Sequence, residues 1–113
     1  SRLRLIVDQW RGLGLYRSDD ALNWEPKPEN LLALPGKGTD DSVIGQHPDV
    51  VINNDRAYLF YFTHPGRTPE NAKKDTYEQR RSSLQVVELK SKGDWLDADR
   101  DETTYMKLIA PKK

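Results

Sequence analysis

Residues 45–67 read GQHPDVVINNDRAYLFYFTHPGR, and no other stretch restricts the fold so strongly. Two β-prone runs, residues 49–52 and 57–63, flank Asn53, Asn54, Asp55 and Arg56, which suit a tight hairpin turn. Along the second run Tyr58, Phe60 and Phe62 point one way, and Leu59 and Tyr61 the other. Both faces are apolar, which predicts a strand covered on both sides, as in stacked sheets.

With Asn54 and Asp55 in the turn, Asn53 faces Arg56. The register then sets His47 opposite Phe62 and Gly45 opposite His64. Diagonal neighbours on one face lie about 7–8 Å apart, so the two histidines should meet at the end away from the turn. Pro48 biases His47 toward extended geometry. Asp40 and Asp41 lie just upstream, which predicts two carboxylates and two imidazoles at one mouth of a sheet assembly. Such a cluster suits a sugar, a metal or a water. The competing reading is a pair of loop histidines bonded to local backbone, and a one-residue slip would part them. Zinc needs three or four ligands, against two histidines and no cysteine in this chain.

The rest of the chain reads as further strands. Leu3–Asp8 alternates as one; residues 12–18 make a second, with Gly12 and Gly14 marking a turn or a close backbone approach. Ser18, Asp19, Asp20 and Asn23 supply turn chemistry. Three prolines and three glycines make residues 25–45 a long loop, in which residues 31–34 form an apolar anchor. Residues 69–81 are polar, with room for one short helix of poor apolar spacing. Residues 82–90 and 103–111 read as two more strands, the latter closing the chain. The expected class is all-β, with six or seven strands. "LYRSDDALNW" and "VELKSKGDW" echo each other as strand, polar turn and Trp, which suits two blade-like sheets of a β-propeller. Both tryptophans, Trp24 and Trp95, are expected in the core.

Composition narrows the partners. Eighteen Lys and Arg balance eighteen Asp and Glu, without the cation surplus that binds phosphate backbones or anionic membrane surfaces. Apolar residues make up 35% and charged residues 32%, a lean core for 113 residues. Either the domain is wet and rich in loops, or it belongs to something larger. The first residues lack the long apolar run of a signal peptide. A chain with no initiator Met that opens in a strand is expected to be a fragment.

Trp10 follows a strand, where its ring suits either stacking on a sugar face or ordinary packing. Of Arg80 and Arg81, one is expected to bind a carboxylate or sugar hydroxyls and the other to face solvent. Ser18, Asp20 and Trp24 resemble a relaxed Asp-box, a structural hairpin of sialidases, with its glycine missing and its Trp one place early. Glycoside hydrolysis needs paired carboxylates. Asp8, Asp19, Asp20, Asp40, Asp41 and Asp49 are available, and spacing marks none of them as acid or nucleophile.

Taken together, "GLGLYRSDDALNWE", "DDSVIGQHPDVVINNDRAYLFYFTHPGR" and "RRSSLQVVELK" resemble the C-terminal part of five-bladed β-propeller glycosidases, glycoside hydrolase family 43 and its relatives. The resemblance implies that residues 1–113 form about two blades of one propeller domain that hydrolyses glycosidic bonds with inversion. It implies that the catalytic carboxylates lie in earlier blades, so no residue here is assigned as catalytic. It makes His47 the residue that helps hold a calcium ion, and Trp10 and Asp41 residues of the substrate cleft, with Arg81 a further substrate contact. The implied partners are a carbohydrate and the missing blades or another copy of the chain. Neither nucleic acid nor membrane is expected, and a polysaccharide substrate would go with a secreted or periplasmic location. The alternative is a non-catalytic carbohydrate-binding or scaffold β-domain. Isolated blades would expose apolar faces and open edges, which predicts poor stability of the chain alone.

Overall fold

The alternating pattern of the first residues builds β1 (Leu3–Asp8), which pairs antiparallel with β2 (Leu13–Ser18); β2 pairs in turn with the short β3 (Glu25–Pro26). A computed structural model describes residues 2–71 and 73–110. The second sheet is a four-stranded antiparallel meander of β4 (Gln46–Asn53), β5 (Arg56–Thr63), β6 (Ser83–Lys92) and β7 (Trp95–Asp97). One helical turn, α1 (Tyr77–Arg80), precedes β6, and the Thr76 hydroxyl caps it by accepting from the Gln79 amide. The chain is therefore all-β, two antiparallel sheets with one short helix among the described residues.

The sheets meet through one face each. Leu13 and Leu15 of β2 join Leu59 and Tyr61 of β5 and Val87 and Leu89 of β6, with Leu31 and Leu32 from the long loop filling the same cluster. Leu13 and Leu59 are wholly buried. β1 stands beside β4, so the first strands of the two sheets are neighbours. At another point of contact, the Arg17 guanidinium lies 4.1 Å over the Trp95 ring while it pairs with Glu25.

The hairpin turn forms as its sequence demands. Asn54 and Asp55 both take left-handed backbone, with φ of 52° and 61°, and Asn53 pairs with Arg56. Two left-handed central residues match the twist of the flanking strands. Only the inner face of β5 is closed: Leu59 and Tyr61 are buried. On the outer face Tyr58 is buried, but Phe62 and its cross-strand partner Leu84 are exposed. The expectation of cover on both sides thus holds for half of the strand.

Two expectations are corrected here. Residues 103–110 form no strand; their tie is Asn53, whose side-chain amide exchanges two hydrogen bonds with the Ile109 backbone. A strand needs a partner ladder, and β7, at the edge of its sheet, is three residues long. Trp24 is 37% exposed, because its indole N–H turns back onto the Ala21 carbonyl of its own hairpin. The two echoing hairpins also differ in place. One joins the second and third strands of its sheet, the other the third and fourth.

The Asp-box-like turn is fully bonded. The Ser18 hydroxyl accepts from the Asp20 and Ala21 amides, and the Asp20 carboxylate accepts from Leu22, Asn23 and the Asn23 side chain. These bonds, the Asn23 amide foremost, hold the Asp20 carboxyl far below the usual carboxylate range.

Candidate functional site

His47 sits in a β-bulge. The ladder pairs Gln46, not His47, with Phe62, and resumes at Asp49 opposite Phe60. The bulge absorbs one residue and re-aims the side chain, a common device at sheet edges and near sites. Here it gives His47 a left-handed backbone, φ 52°, against the extended geometry expected from Pro48. Gly45 does not face His64; its amide donates to the Leu32 carbonyl. The imidazoles nevertheless meet, with ring centroids 6.3 Å apart and edge to face. Phe62 completes the group, 6.1 Å from the His47 ring.

His64 is half-buried and its Nδ1 lies 3.3 Å from the Arg81 carbonyl, the local backbone bond of the structural reading. Burial first, and then the positive charge of Arg67, push its pKa below the ordinary imidazole value. His47 is exposed, and among the described residues its ring makes no hydrogen bond.

Asp8 ties this group to the first sheet. Its Oδ1 accepts the Trp10 amide and its Oδ2 accepts the His47 amide, each at 3.0 Å. Trp10 is itself left-handed, φ 62°, and its side chain is 74% exposed. A left-handed backbone disfavours such residues by roughly 1–2 kcal/mol each, and the shared carboxylate offsets this. Next to Trp10, the Gln9 amide bridges the Tyr16 hydroxyl and Asn30 at 2.8 and 2.9 Å. The rim thus carries an exposed indole, an exposed imidazole, a half-exposed phenyl ring and polar groups fixed by one another.

The other expected site residues lie elsewhere. Asp41 is 3% exposed, its carboxylate bonded to the Tyr61 hydroxyl at 2.9 Å and to Arg100 at 2.5 Å. It anchors the long loop. Burial, and next the Asp41 charge, push the Tyr61 phenol far above its ordinary range, so it remains a donor. Arg100 also donates to the carbonyls of Leu34 and Val43, at 2.9 and 2.7 Å. Its Nε is buried without a partner, packed where a Cβ on Gly36 would fall. Arg81 is engaged: Nη1 and Nη2 hold Asp40 and Nε holds Glu78. Arg80 faces solvent and pairs with Asp75.

The predicted cluster of two carboxylates and two imidazoles therefore splits. The histidines stay together, while Asp40 and Asp41 turn to different arginines. Among the described residues no three His, Asp or Glu converge as metal ligands. Asp8, the carboxylate that reaches His47, uses both oxygens on backbone amides. Sequence reasoning missed the parts played by Asp8, Phe62 and Arg100. A concavity of about 500 Å³ begins beside the bulge at Pro48 and runs between β1 and β4 over Leu3, Ile6, Val50 and Ile52.

The chain matches no known family model, and no curated protein matches it in sequence. Among the described residues no helix is long and apolar enough to cross a membrane.

Proposed function

We propose that this chain is part of a propeller-type glycoside hydrolase and lends that enzyme a carbohydrate-contacting rim rather than its acid and base. The observation that carries this reading is the exposed Trp10, whose backbone amide shares the Asp8 carboxylate with that of His47, the imidazole that meets His64 and Phe62. Sugars present apolar ring faces that stack on aromatic rings and hydroxyls that bond imidazole and amide groups. The four-stranded meander, and the neighbouring first strands of the two sheets, are what adjacent blades would supply. Four of the candidate carboxylates are committed to structure, Asp8 to two amides, Asp20 to its turn, and Asp40 and Asp41 to arginines, and the resemblance assigns the catalytic carboxylates to earlier blades. The acid and base would accordingly come from outside this chain.

The test is tryptophan fluorescence titration with cellohexaose and xylohexaose, alongside a hydrolysis assay on the same sugars. Saturable binding that Trp10→Ala weakens at least about tenfold is expected, as for removing a stacking platform of roughly 1.4 kcal/mol or more. Hydrolysis by the native protein separates the enzyme from the non-catalytic glycan-binding domain. Binding that Trp10→Ala leaves unchanged would sink the rim as the contact surface.

A further inference from the structure

We infer that Asp8 is a positioning residue that holds Trp10 and His47 at a common spacing, so that both address one carbohydrate chain. The inference rests on the rim reading above. Its basis is a convergence that no single element requires. Trp10 belongs to the connection after β1, whereas His47 lies in the bulge of β4, 37 residues further along and in the other sheet. One carboxylate reaches both backbones, one amide on each oxygen, at 3.0 Å. Both residues have φ values that L-residues avoid, 62° and 52°. Without the shared acceptor, each would be free to relax toward an ordinary conformation.

The side chains so placed carry the chemistry a glycan needs. Trp10 offers a flat, exposed ring. His47 offers an imidazole whose plane is set by contacts with His64 and Phe62 rather than by a hydrogen bond of its own among the described residues. The Asp8 oxygens bond the two backbone amides. Asp8 acts through the two backbones, by fixing the distance between a stacking platform and a hydrogen-bonding group. A single carboxylate is well suited to this, because its two oxygens accept independently and a charged acceptor binds an amide more strongly than a neutral one does. An Asn side chain keeps one acceptor oxygen; an Ala keeps none.

The experiment compares Asp8→Ala and Asp8→Asn with the unaltered protein by amide NMR and by titration with cellohexaose and xylohexaose. In Asp8→Ala the Trp10 and His47 amide resonances should both move upfield, and hexaose affinity should fall about tenfold or more, the equivalent of one charge-assisted bond. Asp8→Asn should shift one amide more than the other and recover part of the affinity. A change in thermal midpoint alone, with affinity intact, would overturn the assignment, as would amides that stay where they are. If the unaltered protein binds neither hexaose while both amides respond, the carbohydrate reading fails and the backbone clamp stands. Trp10→Ala is the folded control in the binding titrations: it should lose affinity while the His47 amide stays in place.

Discussion

Arg100→Met removes the guanidinium that pins the long loop. Arg100 is 6% exposed by side chain and Asp41 is 4% exposed, so their ion pair is buried. The substitution keeps most of the aliphatic volume but leaves Asp41 with the Tyr61 hydroxyl alone, and strips the carbonyls of Leu34 and Val43 of their donor. Breaking one side of a buried pair destabilises by about 3–5 kcal/mol. Domains of this size are stable by about 5–15 kcal/mol, so roughly a fifth or more of the total is at stake. The thermal midpoint should fall by at least about 12 °C, at roughly 4 °C or more per kcal/mol. Urea unfolding followed by tryptophan fluorescence reads the change directly. Asp41→Leu in the Arg100→Met background should recover part of the loss, because the stranded charge is gone. A loss below about 1 kcal/mol in Arg100→Met would refute the argument, since a surface pair behaves that way. So would a double variant less stable than the sum of the single changes.

Gly66→Ala should destabilise by about 1–3 kcal/mol, as overpacking does; its Cβ would stand 2.0 Å from the Glu78 carbonyl oxygen, a backbone atom of α1. Urea midpoints check it, and a neutral result would mean that α1 is loosely held. Asp20 has a depressed folded pKa, so its turn adds stability that is complete above the unfolded carboxylate value of about 3.9 and lost as pH falls through the folded value. Asp20→Asn should therefore flatten the acid limb of the stability profile, and an unchanged limb would contradict the bonding described. His64 is also depressed, but as a base it has the opposite bookkeeping: the unfolded chain binds the proton first, so stability falls as pH drops below about 6.5. His64→Gln should remove that part of the decline, measured by urea midpoints between neutral pH and the carboxylate range.

Much of this was legible where the information is local. The β4–β5 turn follows from Asn54 and Asp55, and β5 from its aromatic alternation. The nearness of His47 and His64 could be read from the hairpin, yet the register that brought them there was off by one residue. A bulge at His47 and Pro48 leaves no mark in a hydrophobic pattern, since alternation reads the same on either side of an inserted residue. Arg100 was invisible for another reason. It lies in Asp97-Ala98-Asp99-Arg100-Asp101-Glu102, which reads as a solvated charged stretch. Its true partners are up to 68 residues away. Asp40 and Asp41 were indistinguishable as neighbours. Asp40 has φ 57°, and the two carboxylates go to different arginines. Trp24 misled because aromatic bulk suggests burial, whereas leucines already fill the space between the sheets.

The Arg100 latch also has a consequence for the order of events as the chain is made. Residues 32–43 emerge from synthesis long before their cation does. Hairpins such as β4–β5 close within microseconds from neighbouring residues. The loop has a few local backbone bonds, such as Gly36 to Asp41, but its cation lies far along the chain, and contacts of long sequence separation form slowly. The closure of the loop around the Asp41 carboxylate therefore waits for Arg100. A nascent chain stalled before residue 100 should be cut readily at Lys37 by trypsin, and one stalled well beyond it should resist. The last part of this chain to become native is then a segment from its first half.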